Sequence, residues 1–244
     1  MLKITNQTKE TAELYISGDI VDDVDGGFLK YFRDGDTTGY EFPKKFQNEL
    51  KEVEDKELTI FINSYGGNVF AGVALSKMIE RRKNKTVCIV DGICASIATQ
   101  IFFAADICKI PANCYLMIHK PEVGICGNAD EMRKTADTLD TIQAGLETIY
   151  NKKAKDGVNA EKISELVNAV TWLTGEETAE YFKVEVLEPV QVVNCFGNAE
   201  KLRRQGIKNF PSVLNFINEQ KTAEKSDFVQ KIKISVARAK GALI

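Results

Sequence analysis

Apolar and polar positions along most of the chain switch between two periods. Residues 13–20, E-L-Y-I-S-G-D-I, alternate and include β-branched side chains, which predicts a strand. The Asp- and Gly-rich stretch that follows, through about Gly39, predicts a loop. F-P-K-K-F-Q-N-E-L-K-E-V (42–53) has helical spacing, and E-L-T-I-F-I-N (57–63) is a continuous apolar run stopped by S-Y-G-G, the pattern of a strand buried on both faces. Residues 69–82 return to a helical period. The alternation then repeats, with T-V-C-I-V (86–90) as strand, A-S-I-A-T-Q-I-F-F-A-A (95–105) as helix, and two short strands, 107–110 and 114–118, around Pro111-Ala112-Asn113. Strand and helix in alternation predict an α/β domain.

After a glycine-broken stretch at 124–127, apolar residues recur at Met132, Ala136, Leu139, Ile142, Leu146, Ile149 and Tyr150. This predicts a helix from Ala129 to about Lys155, about seven turns long and longer than a small domain usually needs. Shorter helices are expected at 160–168 and 175–182, the second opened by Thr174 with Glu177 as its capping-box partner. Beyond about Val193 the pattern weakens into a charged tail with helical stretches near 211–220 and 226–240. The expected organisation is therefore a core over 1–193 and a charged, partly helical extension over 194–244. No long internal repeat or low-complexity tract is visible.

The 244 residues carry 44% hydrophobic and 27% charged side chains with a net charge of −3, the balance of a soluble globular protein with no broad basic face. Nucleic acid is not an expected partner. The one dense basic run, Arg81-Arg82-Lys83-Asn84-Lys85, sits where a helix should end and cations are favoured. No segment has the length and apolarity of a signal peptide or a membrane span, so no membrane partner is expected and the cytoplasm is the expected location. The six cysteines show neither C-x-x-C spacing nor a histidine in ligand-like register, so no metal or cofactor is expected and they read as reduced core residues.

Three features carry candidate chemistry. Asn63-Ser64-Tyr65-Gly66-Gly67 ends a buried strand with paired glycines, which let backbone N–H groups turn outward, although ordinary strand-to-helix turns look the same. Gly92-Ile93-Cys94-Ala95-Ser96 is a second such junction and sets Ser96 in the first turn of a helix. A serine there ordinarily bonds back to a carbonyl of the preceding turn. His119, the one histidine of the chain, closes the strand 114–118, where α/β sheets gather ligand-binding residues. The spacing permits Ser96 and His119 to meet.

I-N-S-Y-G-G-N-V-F-A-G, G-I-C-A-S-I-A and M-I-H-K-P, in that order and at these separations, resemble the Clp protease proteolytic subunit family, including its phage head-maturation relatives. The resemblance runs from Ile16 to Glu185. It implies a crotonase/ClpP-like α/β fold of repeated strand-helix units with a long protruding handle helix, and a homo-oligomer of stacked rings. It also implies an ATP-independent serine endopeptidase with Ser96 as nucleophile and His119 as base. The backbone N–H groups of Gly67 and Ile97 would hold the oxyanion, and Gly124, Ile125, Cys126 and Gly127 would align the substrate backbone as an added strand. Protein substrates would include capsid or scaffold precursors in the phage branch.

One departure bears on the chemistry. The family's acidic triad member stands two residues before an aromatic, and here that segment reads Val170-Thr171-Trp172-Leu173-Thr174. Valine cannot accept an imidazole N–H. Either Asn168, Thr171 or a backbone carbonyl orients His119, or the pair works as a dyad, or the chain is a catalytically weakened ring-forming assembly protein. Acyl-CoA chemistry on the same fold leaves the serine and histidine unexplained. Cys94 as the nucleophile is opposed by its place in an apolar turn.

Overall fold

The computed structural model describes residues 4–32, 36–37 and 39–189, so the helices expected near 211–220 and 226–240, and the 194–244 extension, lie outside the described residues. At the centre, β1 (Thr11–Ile20), β3 (Glu57–Gly67) and β4 (Thr86–Ala95) run parallel; β2 (Tyr40–Glu41) pairs the outer side of β1. On the other side, β5 (Ile107–Pro111) pairs β4 and β8 (Glu185–Leu187) pairs β5. Leu14, Ile16, Ile60, Ile62, Cys88 and Val90 are buried from these strands. Against them pack Phe46 of α2 (Pro43–Glu52), Leu75 of α3 (Val69–Glu80) and Phe102 of α4 (Ala98–Phe103). Each such side chain contributes about 1.5–3 kcal/mol relative to exposure.

The sheet divides at β4, and this division builds the site. On β3, Ile62 and Ser64 are two residues apart, but their partners on β4, Val90 and Cys94, are four apart. The surplus bends β4 at Asp91-Gly92, where Gly92 has φ +118°. The first half of β4 pairs β5 through Val87–Ile89, and the second half pairs β6 (Tyr115–Ile118) through Ile93–Ala95. The outer side of β6 carries β7 (Thr171–Thr174), the one antiparallel partner among the described strands.

Several expectations are corrected. The stretch after β1 is not all loop: it holds α1 (Asp23–Phe32), opened by Asp22, whose Oδ1 accepts from the Val24 and Asp25 N–H groups at 2.9 Å. β3 is fully buried on one face and half-buried on the other, where Phe61 stacks on Tyr15 at 5.5 Å. The helix expected at 95–105 spans Ala98–Phe103, because β4 continues to Ala95. β7 and β8 were not anticipated. The basic run follows the end of α3, as expected, and Arg82 within it does more: its guanidinium donates to the Val53 and Lys56 carbonyls at 3.1 and 2.6 Å and pins the α2–β3 connection. Cys88, Cys94, Cys108 and Cys114 are buried free thiols, whereas Cys126 is exposed.

The long helix α5 (Ala129–Lys153) starts from an Asn128/Glu131 capping box and buries only Ile149 and Tyr150 fully. α6 (Ala160–Asn168) and α7 (Gly175–Tyr181) follow, α7 with the expected Thr174/Glu177 box. No helix among the described residues is long and apolar enough to cross a membrane.

Candidate active site

The bend in β4 decides where Ser96 and His119 go. Ala95 pairs Met117 in the β4–β6 register, and the Ser96 N–H continues the ladder by donating to the Met117 carbonyl at 2.8 Å. His119, two residues past Met117, therefore leaves its strand beside the residue that leaves β4. Ser96 has φ +55°, a left-handed conformation that a non-glycine residue holds only at some cost. It lies between strand and helix, before the first helical turn rather than in it. From that turn its Oγ lies 2.7 Å from His119 Nε2.

The turn is held from behind. Thr99 Oγ1 donates to the Ser96 carbonyl at 2.6 Å and is itself 2.6 Å from the Tyr150 hydroxyl, whose only free role is then donor. Gln100 Nε2 donates to the Leu146 carbonyl at 3.2 Å. The C-terminal part of α5 is thus bonded to the helix that follows Ser96. In front, Val69, Ile97, Leu146, Tyr150 and Pro121 line a shallow depression around the serine and histidine. In the sequence Tyr150 figures only as an apolar position of the long helix, and Thr99 and Gln100 not as site residues; for those two, polar side chains within an apolar run, three and four residues past Ser96, are the available signal.

Gly66 lies against Ser96: a Cβ built on it would be 2.8 Å from the Ser96 Cβ and 3.1 Å from the Ile97 nitrogen. Gly67, with φ +145°, closes on β1 instead, its Cα facing the Ile20 carbonyl. Residues 124–127 form no strand with the described residues; Gly124, Ile125 and Cys126 are exposed.

The histidine's second nitrogen is exceptional. With Nε2 positioned to accept the serine proton, a neutral ring carries its hydrogen on Nδ1. Nδ1 is buried and has no hydrogen-bond partner among the described residues. Neither residue expected to orient the ring is bonded to it: Thr171 Oγ1 donates to the Leu166 carbonyl at 2.6 Å, and Asn168 Oδ1 accepts from Gln143 at 3.1 Å. Val170 follows α6 with φ +54°. A carboxylate oxygen of Glu122 stands 3.9 Å from Nδ1. Burial pushes the imidazole below its ordinary value, and the Glu122 charge pushes it partway back. Burial also pushes the Cys94 thiol well above its ordinary value, which removes it as a nucleophile.

The sequence profile described as Clp protease matches residues 48–186. The chain belongs to the Clp protease family. The match starts at Asn48 rather than Ile16 and includes both Ser96 and His119. Among curated proteins, ATP-dependent Clp protease proteolytic subunit 3 of Streptomyces coelicolor is 29% identical over 153 residues, covering 62% of this chain and 69% of the relative. Subunit 3 of Rhodococcus jostii is 28% identical over 128 residues, 52% of this chain and 62% of the relative. The ATP-dependent Clp protease proteolytic subunit of Bacteroides fragilis is 28% identical over 132 residues, 53% of this chain and 63% of the relative. This chain thus spans less than two thirds of the last two relatives.

Proposed function

We propose that this Clp protease family member is a serine endopeptidase using Ser96 and His119 as a catalytic pair. The observation that carries the reading is the 2.7 Å approach of His119 Nε2 to Ser96 Oγ, with the serine held in a strained strand-to-helix turn. A serine hydroxyl is a weak nucleophile until a neighbouring base takes its proton. His119 Nε2 takes that proton as Oγ attacks the scissile carbonyl carbon. The resulting oxyanion is held by the N–H groups of Gly67 and Ile97; the Ile97 half is supported by its nitrogen lying in the turn beside Ser96 and Gly66. Protonated His119 then gives its proton to the leaving amine, and water repeats the sequence on the acyl-enzyme. None of these steps consumes nucleotide, so cleavage itself is ATP-independent.

The substrate backbone lies along Gly124, Ile125, Cys126 and Gly127, whose exposed and unpaired backbone suits an added strand. The enzyme works in the cytoplasm as a homo-oligomer of stacked rings. α5 supports this assembly, since Met132 is 48% exposed and the first four turns of the helix bury nothing fully. The protease core occupies 1–193, with 194–244 as an extension. The missing acid at Val170 and that extension favour the phage head-maturation branch, acting on capsid or scaffold precursors. A fluorophosphonate probe tests the chemistry: it should label Ser96 in the wild type and fail on Ser96→Ala, and labelling elsewhere with unchanged turnover in that variant would end the reading.

The unpartnered Nδ1 of His119 favours one alternative, a weakened ring-former serving assembly. An intact oligomer whose Ser96 never reacts with the probe would establish it.

A further inference from the structure

We propose that Glu122 is the carboxylate partner of His119, a positioning residue that substitutes for the acid absent at Val170. This rests on the reading of Ser96 and His119 as a catalytic pair. The β6–β7 register pairs Leu116 with Leu173, Met117 with Trp172 and Ile118 with Thr171. The pairing ends there, with His119 and Val170 the next residues beyond the two strands. An isopropyl group there accepts no hydrogen bond, and Asn168 and Thr171 are engaged with Gln143 and Leu166.

The unmet donor is specific. His119 Nδ1 must carry the proton whenever Nε2 serves as base, and a buried N–H without an acceptor is destabilising. The groups around the ring narrow the choice. Tyr150 has its hydroxyl on Thr99 and a pKa pushed up to about 12, so it is neutral. Lys120, also beside the ring, is a cation and accepts nothing. Glu122 Oε1, 3.9 Å from Nδ1, is the carboxylate oxygen at hand.

Its placement suits a part-time partner. Glu122 is in the segment between β6 and α5, and its side chain is 49% exposed while the His119 side chain is 8% exposed. The proposed contact requires a rotamer change of this exposed, flexible side chain to shorten 3.9 Å to the roughly 2.8 Å of a charge-assisted hydrogen bond. The 124–127 segment begins two residues after Glu122, so a peptide laid along it would shield the carboxylate from water and strengthen its attraction for a forming imidazolium. Glu122 moves no proton itself. It holds the Nδ1–H tautomer and stabilises the positive ring.

The test compares wild type, Glu122→Ala, Glu122→Gln and Glu122→Asp as full-length chains, reading kcat/KM against pH with a fluorogenic peptide and the rate of Ser96 labelling by a fluorophosphonate. Removing the carboxylate should slow both about 10- to 100-fold, less than the roughly 10⁴ of a fully buried triad acid. It should also move the acid limb of the profile to lower pH, because the negative charge that raises the imidazole pKa is gone. Glu122→Asp should keep part of the rate and of the limb's position. Wild-type rate and an unmoved limb in Glu122→Ala would overturn the proposal, as would a slower rate with an unmoved limb, which marks a merely structural role. Ser96→Ala and His119→Ala separate the two readings: if neither abolishes cleavage, the catalytic pair itself is wrong, whereas full dependence on both with indifference to Glu122 rejects Glu122 alone.

Discussion

Ser96 and Gly66 touch across the β3–β4 junction: a methyl group on the glycine would lie 2.8 Å from both the Ser96 Cβ and the Ala95 carbonyl oxygen. Gly66 also has φ +94°, where an L side chain is strained. Gly66→Ala should therefore displace the turn that carries Ser96. We expect cleavage to fall at least tenfold and the fold to lose about 2 kcal/mol, since left-handed strain alone is worth about 1–2 kcal/mol and a backbone contact adds to it. Urea denaturation and fluorophosphonate labelling measure the two effects. An alanine variant with wild-type labelling would show that this contact does not set the serine's position.

The pH profile follows from burial of His119. The imidazole must be neutral to accept the serine proton, and burial disfavours its charged form, so the neutral base persists to lower pH than in free histidine. The acid limb of kcat/KM should have its midpoint below about 6.5. A midpoint above 7 would mean that a closely held carboxylate outweighs burial in the free enzyme.

Tyr150→Phe tests the support behind the turn. The variant keeps the ring but removes the hydroxyl that lies 2.6 Å from Thr99 Oγ1. A lost buried hydrogen bond costs about 0.5–1.5 kcal/mol, and thermal melting should report a drop of that size. Because Thr99 still donates to the Ser96 carbonyl, cleavage should fall only a few-fold; complete loss would place the hydroxyl in the chemistry itself.

The pieces legible in the sequence were those whose cause is local. The Ser96 and His119 neighbourhoods announce themselves as strand ends, and the capping boxes of α7 and the period of α5 are written in adjacent residues. What was missed has a distant cause. In α1, Gly26 looks like a loop residue, yet it is buried because a side chain there would meet the Phe42 ring at 2.5 Å. β7 is four residues long and exists through its pairing with β6, a strand more than fifty positions earlier. The bend in β4 is invisible locally as well, since it arises from two surplus residues against β3.

Val170 offers a test that separates backbone from charge. A β-branched residue at φ +54° is strained, whereas Asn and Asp tolerate that region. Val170→Asn should therefore relieve strain without adding charge, and raise stability by up to about 1 kcal/mol, offset by whatever packing the half-buried valine supplies. Val170→Asp relieves the same strain and adds a carboxylate one residue beyond the last β6–β7 pair, as His119 is on the other strand. The ratio between the two variants isolates the charge. With Glu122 in place, we expect Val170→Asp to exceed Val170→Asn several-fold in kcat/KM and to move the acid limb upward, because a second negative charge favours the imidazolium. In the Glu122→Ala background the advantage should grow, since the histidine then has no other carboxylate to turn to. Equal activity of the Asn and Asp variants in both backgrounds would show that no group at position 170 reaches Nδ1, and that the strained backbone there serves the fold rather than the histidine.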